Sequence, residues 1–287
     1  MAVYNYLSID SSNTLGIKTF RDYPHPDLSS IKKLGVDLSK HNGDVDFDLL
    51  KKTGVSYVIL RAGFGKVAKQ KDTKFEQNYK AAKDVGLDVG AYWYSYAEST
   101  ADVEQEAEAC LQCIKGKKFE YPIFFDLEEA RQFKIGQIFC TNIVNLFCDI
   151  LETNGYFAGL YMSKSPMLQY VTPETRRKYA LWVAQYNSKC NYPEPYGMWQ
   201  FTPNGMLIGH RCYFDFNECN VDYPSLMKQR GLNGYAKEVK PVVTETTEQK
   251  YKYMVVVDTF DKQSQATDLL KIVKKQYPGA VVKKIKA

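Results

Sequence analysis

From Leu34 onward, short apolar runs alternate with stretches whose apolar positions recur every three or four residues. Runs rich in branched and aromatic side chains predict strands, and the longer spacing predicts helices. The pattern gives strand over 34–39 (LGVDLS), helix over 47–54, strand over 56–63, helix over 72–86 and strand over 88–96. It continues with helix over 99–116, strand over 121–128 and a long helix over 135–155. Strands at 156–162, 180–186, 197–201 and 213–217 follow, with less helix between them. The boundaries have local causes: Gly54 and Gly86 stop their helices, and Ser99 and Thr100 can begin the third. Roughly eight strands alternating with helices over about 190 residues predict an α/β fold, a parallel sheet closed as a flattened (β/α)8-like barrel.

Three segments stand outside that repeat. Residues 1–33 form an N-terminal extension with weak periodicity and Pro24 and Pro26, so the barrel is expected over 34–230. Residues 231–249 (GLNGYAKEVKPVVTETTEQ) read as a linker. Residues 250–287 read as strand (252–260), helix (261–279) and strand (280–285), a small C-terminal β-α-β unit. Fewer than about 40 residues rarely sustain a core alone, so this unit is expected to dock on something. The net charge of +5 sits there: the segment 250–287 holds nine Lys against three Asp, leaving the other 249 residues at −1. Such a charge suits an anionic partner or a solvated face.

Acids mark the strand ends. The stretch YPIFFDLEE (121–129) is a run of large apolar residues that closes on Asp126, Glu128 and Glu129. Side chains alternate along a strand, so Asp126 and Glu128 share a direction, roughly 7 Å apart. Asp37 sits in LGVDLS on the first strand and Asp215 in YFDFN on the last, and these strands become neighbours when a barrel closes. Functional groups of parallel barrels collect at the C-terminal ends of strands. The expectation is therefore a ring of four carboxylates at one mouth, with Glu129 as a solvated loop residue. Crowded carboxylates repel and burial disfavours charge, so one should keep its proton near neutrality. A protonated acid beside ionised ones suits cleavage of a glycosidic bond, with Glu128, the longer side chain, as the proton donor.

The stretches LGVDLSKHNGDVDF, YVILRAGFG, VGAYWYSYAES, FFDLEE, GLYMS, LWVAQY, MWQFTPNG and DFN occur in an order that resembles glycoside hydrolase family 25. These are the lysozyme-type N-acetylmuramidases of phages, bacteria and some fungi. The likeness runs over about residues 34–222. It implies hydrolysis of the β-1,4 bond between N-acetylmuramic acid and N-acetylglucosamine in bacterial peptidoglycan, without metal or cofactor. It implies Glu128 as general acid, and Asp126 as a charge stabiliser or as the group that orients the substrate's N-acetyl group. Asp37 and Asp215 would bind and tune. Tyr92, Tyr94, Tyr161 and Trp182 would line a sugar groove, and Arg61, in the matching R-A-G stretch, would pair with a mouth carboxylate. Trp93 stands where many relatives carry His, which implies an altered groove wall. The tail resembles half of a SPOR-type peptidoglycan-binding fold, which implies wall binding or self-association through residues 250–287.

Composition narrows the context. Apolar residues make up 45% and charged residues 25%, ordinary for a globular chain with a sizeable core. Twenty-two Tyr each pair an apolar face with a hydroxyl, which suits sugar or peptide grooves. No zinc-finger or RNA-binding signature appears, so no nucleic-acid partner is expected. The seven Cys, an odd number falling inside apolar patterns, are expected as free thiols made in a reducing compartment. Cys110-x-x-Cys113 has no second such pair, so no metal site is expected. The N-terminus lacks a basic segment followed by an apolar one, and no run is long enough to span a membrane. The resulting expectation is a phage endolysin, stored in the host cytoplasm and acting on the wall after release. A lysin associated with the phage particle and a catalytically silent wall-binding barrel are the alternatives. A chitinase-like barrel would need a longer D-x-x-D-x-D-x-E run, of which FFDLEE supplies only the end.

Overall fold

The computed structural model describes residues 31–237, the strand residues 5–6 and 17–19, and the helical positions 267, 269–271 and 274. The chain divides into two compact units, Met1–Val239 and Lys240–Ala287. In the second, the described helical positions fall within the predicted helix 261–279, and the two predicted strands lie outside the described residues.

The first unit opens with β1 (Asn5–Tyr6) and β2 (Ile17–Thr19), then β3 (Leu34–Leu38), α1 (Phe47–Lys52), β4 (Val55–Phe64), α2 (Phe75–Asp84) and β5 (Asp88–Tyr94). It continues with α3 (Thr100–Ile114), β6 (Ile123–Asp126), α4 (Ala130–Ile135), α5 (Gln137–Thr153) and β7 (Ala158–Ser163). The remaining elements are α6 (Lys164–Tyr170), α7 (Pro173–Lys178), β8 (Ala180–Ala184), β9 (Met198–Leu207), β10 (Phe214–Cys219) and α8 (Tyr223–Arg230). The long helix read over 135–155 is α5, and a short helix not read from the sequence, α4, precedes it, with Gly136 at φ 116° between the two.

Strands β3 to β9 pair in sequence order, all parallel, and β10 closes the ring between β9 and β3. β10 runs antiparallel to both neighbours, so the all-parallel expectation fails at the last strand. Only six residues separate β9 from β10, too few for the crossover that a parallel neighbour needs, so the chain turns straight back. The reversal matters for the site. Asp215 lies near the start of β10, not at a C-terminal strand end, and it reaches the shared mouth because β10 points the other way.

Alternation divides the core. Outward residues such as Val36, Val58, Leu60, Val89, Phe125, Leu160 and Val183 pack beneath the helices. Both α3 and α5 present buried faces at three- and four-residue spacing, including Val103, Ala107 and Cys110 on α3 and Ile143, Phe147 and Leu151 on α5. Inward residues Tyr57, Ile59, Tyr121, Phe124, Trp182 and Met198 fill the barrel's interior. Gly35 and Gly159 make that filling possible: a Cβ on Gly35 would lie 2.2 Å from the Tyr57 ring, and one on Gly159 would lie 2.6 Å from Phe124. Each such ring contributes roughly 2–3 kcal/mol of burial. The interior is thus solid below the mouth, and only its upper layer is available for chemistry.

Two boundary readings change. The extension 1–33 contributes β2, which pairs with the far end of β9 at Gly205–Leu207, the mouth side of the barrel. The stretch read as linker from residue 231 begins as part of the barrel. Asn233 is fully buried, donates through Nδ2 to the Tyr121 carbonyl at 2.8 Å and accepts from the Phe157 amide at 2.7 Å. It holds φ at 54°, a conformation Asn tolerates better than most residues. Asn233→Ala is expected to lower the unfolding free energy by about 2–3 kcal/mol, measured by urea denaturation, because two buried backbone groups lose partners. A loss under about 0.5 kcal/mol would contradict this closure of the barrel's bottom.

Candidate active site

A cleft of about 550 Å³ opens at the mouth, and all nine residues singled out in the sequence line it. Asp37, Arg61, Tyr92, Tyr94, Asp126, Tyr161, Trp182 and Asp215 project inward from barrel strands, and Glu128 stands two residues past β6. The chain stays extended there, since Leu127 donates to the Tyr161 carbonyl at 3.2 Å. Leu127 is fully buried, so Asp126 and Glu128 both face the cleft, as their spacing requires.

The carboxyls fall into two pairs. Asp37 and Asp215 are register partners across β3 and β10. Asp37 Oδ2 accepts from Gln200 Nε2 at 2.9 Å and Asn217 Nδ2 at 2.8 Å. Burial raises the Asp37 carboxyl to about 6, and its three side-chain partners, Asn217, Gln200 and Asp215, restrain that rise. Asp215 is pushed to about 9, by burial first and then by the Asp37 charge. At neutral pH Asp215 is therefore the proton-bearing member, hydrogen-bonded to Asp37. In the second pair, Asp126 is 4% exposed and pushed well up by burial, then by Glu128 and Asp37. Its Oδ1 is buried with no hydrogen-bond partner among the described residues. Glu128 is raised by burial, then by Asp37 and Glu129, while the Tyr94 hydroxyl pulls it back.

Several side chains differ from expectation. Arg61 pairs not with a mouth carboxylate but with Asp72, Nε to Oδ2 at 2.6 Å. Asp72 also accepts from the Lys40 and Lys74 amides, so it ties the loops after β3 and β4 together. Trp93 points away from the cleft: it is fully buried, donates to the Gly65 carbonyl at 3.0 Å and leaves the groove wall untouched. Position parity on β5 decides this, since Tyr92 and Tyr94 face inward. Trp182 is 1% exposed, packed against Tyr161 with ring centroids 4.4 Å apart, and donates to Asn217 Oδ1 at 2.7 Å. It is a floor beneath the carboxyls more than an open stacking face. Glu129 is not simply solvated: it accepts from the Tyr94 hydroxyl at 2.8 Å.

Gln200, Asn217, Tyr186 and Asp72 were absent from the sequence-derived set. Gln200 and Asn217 carried a signal: each sits at an inward parity, and Asn217 follows Asp215 in the same i, i+2 relation as Glu128 follows Asp126. Gln200 gathers both tyrosines, accepting from Tyr161 at 2.8 Å and Tyr186 at 3.1 Å while donating to Asp37. No group of three or more His, Cys, Asp or Glu among the described residues is arranged to hold a metal ion.

The family model described as "Glycosyl hydrolases family 25" matches residues 36–210. The chain belongs to glycosyl hydrolase family 25. An "Autolytic lysozyme" of Clostridium acetobutylicum is 29% identical over 185 residues, which cover 64% of this chain and 55% of that protein. This chain therefore spans about half the length of that curated relative. Among solved structures, the CTP1L endolysin superposes with a TM-score of 0.60 at 28% identity, covering 69% of this chain and 70% of that one. The catalytic domain of an endolysin from a Listeria monocytogenes bacteriophage superposes with a TM-score of 0.56 at 27% identity, covering 68% and 96%. The family assignment places the carboxyl-lined mouth in a barrel of glycoside hydrolases, the chemistry that the acid spacing suggested.

Asp215 makes a stability prediction. Its carboxyl holds a proton in the folded state up to about 9, while the unfolded chain releases it near 3.8. The wild type therefore loses stability as pH rises through that window. Asp215→Asn is expected to melt a few degrees higher than wild type at pH 8, with the gap shrinking toward pH 4. A gap independent of pH in thermal melts would contradict the shared proton.

Proposed function

We propose that this family 25 barrel is a peptidoglycan hydrolase of the lysozyme type, cleaving the β-1,4 bond between N-acetylmuramic acid and N-acetylglucosamine. The observation that carries this reading is Asp126: a buried carboxyl beside Glu128 with an unpaired oxygen. A buried acceptor without a partner suits a donor supplied by the substrate. The acetamide N–H of an N-acetylated sugar is such a donor.

Glu128 donates its proton to the glycosidic oxygen as the bond to C1 breaks. The acetamide oxygen closes on C1 as the leaving sugar departs, and Asp126 holds the acetamide N–H and balances the positive charge. Water then attacks C1 as the bond from C1 to the acetamide oxygen breaks, which restores the N-acetyl group, and the Glu128 carboxylate takes the water's proton and becomes the acid again. Asp37 and Asp215 hold one proton between them and keep negative charge near the mouth without a full second anion. Tyr92, Tyr94 and Tyr161 supply the groove walls, and Arg61 fixes one side through Asp72.

We read the setting as wall lysis of the endolysin kind, supported by likeness to two endolysins at 27–28% identity. The surplus of Lys in residues 250–287 supports attraction of that unit to anionic wall polymers. No helix among the described residues is long and apolar enough to cross a membrane.

Purified peptidoglycan should be digested by wild type and by Glu128→Gln, with the products reduced by borohydride and identified by mass spectrometry. New reducing ends at muramic acid are expected, formed roughly 10²–10⁴-fold more slowly by Glu128→Gln. Ends at glucosamine, or equal rates for the two proteins, would overturn the assignment.

A further inference from the structure

Behind the cleft wall lies a buried acid that the chemistry above does not use. Glu106, on α3, is fully buried. Its Oε1 accepts from the Tyr96 amide at 2.8 Å, and the Ser95 hydroxyl bonds to the same carboxyl. Its Oε2 is buried without a partner among the described residues. Gln132, on α4, is also fully buried and converges on the same serine. Its Nε2 donates to Ser95 Oγ at 3.0 Å and to the Ala97 carbonyl at 3.0 Å. Those two bonds fix which end of the amide is nitrogen, so Gln132 Oε1 is an acceptor, and it too is buried and unpaired.

Two unmet acceptors in one buried cluster are costly. A proton on the carboxyl turns them into one donor and one acceptor. Burial moves Glu106 in that direction, to about 7. Among the charged groups around it, Asp102 adds to the rise and Lys66 opposes it by less, while the bonds from Ser95 and the Tyr96 amide restrain it. Lys66 is engaged with Asp102 at 2.9 Å, Arg131 with Glu98 at 2.9 Å, and Cys110 on α3 and Cys140 on α5 are thiols raised by burial.

The cluster touches the catalytic wall at three points. The Ser95 amide donates to the Asp126 carbonyl at 3.0 Å. The Gln132 amide donates to the Glu129 carbonyl at 2.9 Å, and Glu129 accepts from Tyr94. Tyr94 and Tyr96 have ring centroids 4.9 Å apart, on either side of Ser95. We propose that Glu106 is a positioning residue: as a carboxylic acid it donates to Gln132 Oε1 and clamps the turn after β5 to α4, fixing the segment that carries Asp126, Glu128 and Tyr94. This rests on the muramidase reading for its catalytic consequence, and on the hydrogen-bond inventory alone for the clamp.

The test uses the full chain with Glu106→Gln and Glu106→Ala. Difference infrared spectra at pH 6 are expected to show a buried carboxylic-acid carbonyl band in wild type that Glu106→Gln removes. On peptidoglycan, Glu106→Gln, whose amide N–H replaces the acid O–H, is expected to keep kcat within about twofold. Glu106→Ala is expected to lose at least tenfold in kcat with KM little changed. A wild type without the acid band, its place taken by a carboxylate bridged through water, would overturn the clamp even if the protein proved inactive on peptidoglycan. Equal kcat for Glu106→Ala and wild type, per folded molecule, would overturn the positioning role. If Glu106→Ala does not fold, a Glu106→Gln kcat tenfold below wild type would overturn it instead.

Discussion

Repulsion among carboxyl groups in a closed barrel mouth governs the architecture of this protein. Asp37, Asp126, Glu128 and Asp215 share one cleft, and burial is the leading cause that raises each of them. Four full charges could not be held there. The fold answers with paired acids, one proton between Asp37 and Asp215, and neutral donors at Gln200 and Asn217. Proton sharing keeps an acid ready near neutrality.

That mouth depends on what lies beneath it. Tyr57, Tyr121, Phe124 and Trp182 fill the interior, and inward glycines give their rings room. Asn233 seals the bottom from a segment beyond the last barrel helix. The reversed β10 then brings Asp215 directly across from Asp37, a pairing that seven parallel strands alone would not produce. Behind the front wall, Glu106 and Gln132 hold the turn between β5 and α3. The reacting acids are thus placed by rigid strands and by a polar cluster one layer back, consistent with the general need for supported functional groups.

Much of this was legible in the residues. Alternation located the strands and put Asp126 and Glu128 on one side, and the same parity would have turned Trp93 away from the groove had it been applied there. Strand direction was not legible, because parity is blind to polarity: the alternation along β10 reads the same whichever way the strand runs. Partners at long range also escaped the chain pattern. The Arg61–Asp72 pair joins residues 11 apart through loop geometry, and Asn233 bonds to Tyr121 across 112 positions. A Gly-Leu-Asn-Gly stretch reads as linker on composition, and only the packed structure shows a side chain closing a barrel.

The account turns on Asp126 receiving the substrate's acetamide N–H. The direct measurement is kcat on fully N-acetylated peptidoglycan strands against the same strands with muramic-acid acetyl groups removed, using wild-type protein. Loss of roughly a hundredfold or more in kcat on the de-acetylated strands is predicted, since the internal nucleophile disappears and the amide N–H that Asp126 orients becomes an amine. Equal turnover on the two substrates would contradict the account and return Asp126 to the role of a direct nucleophile or a remote charge.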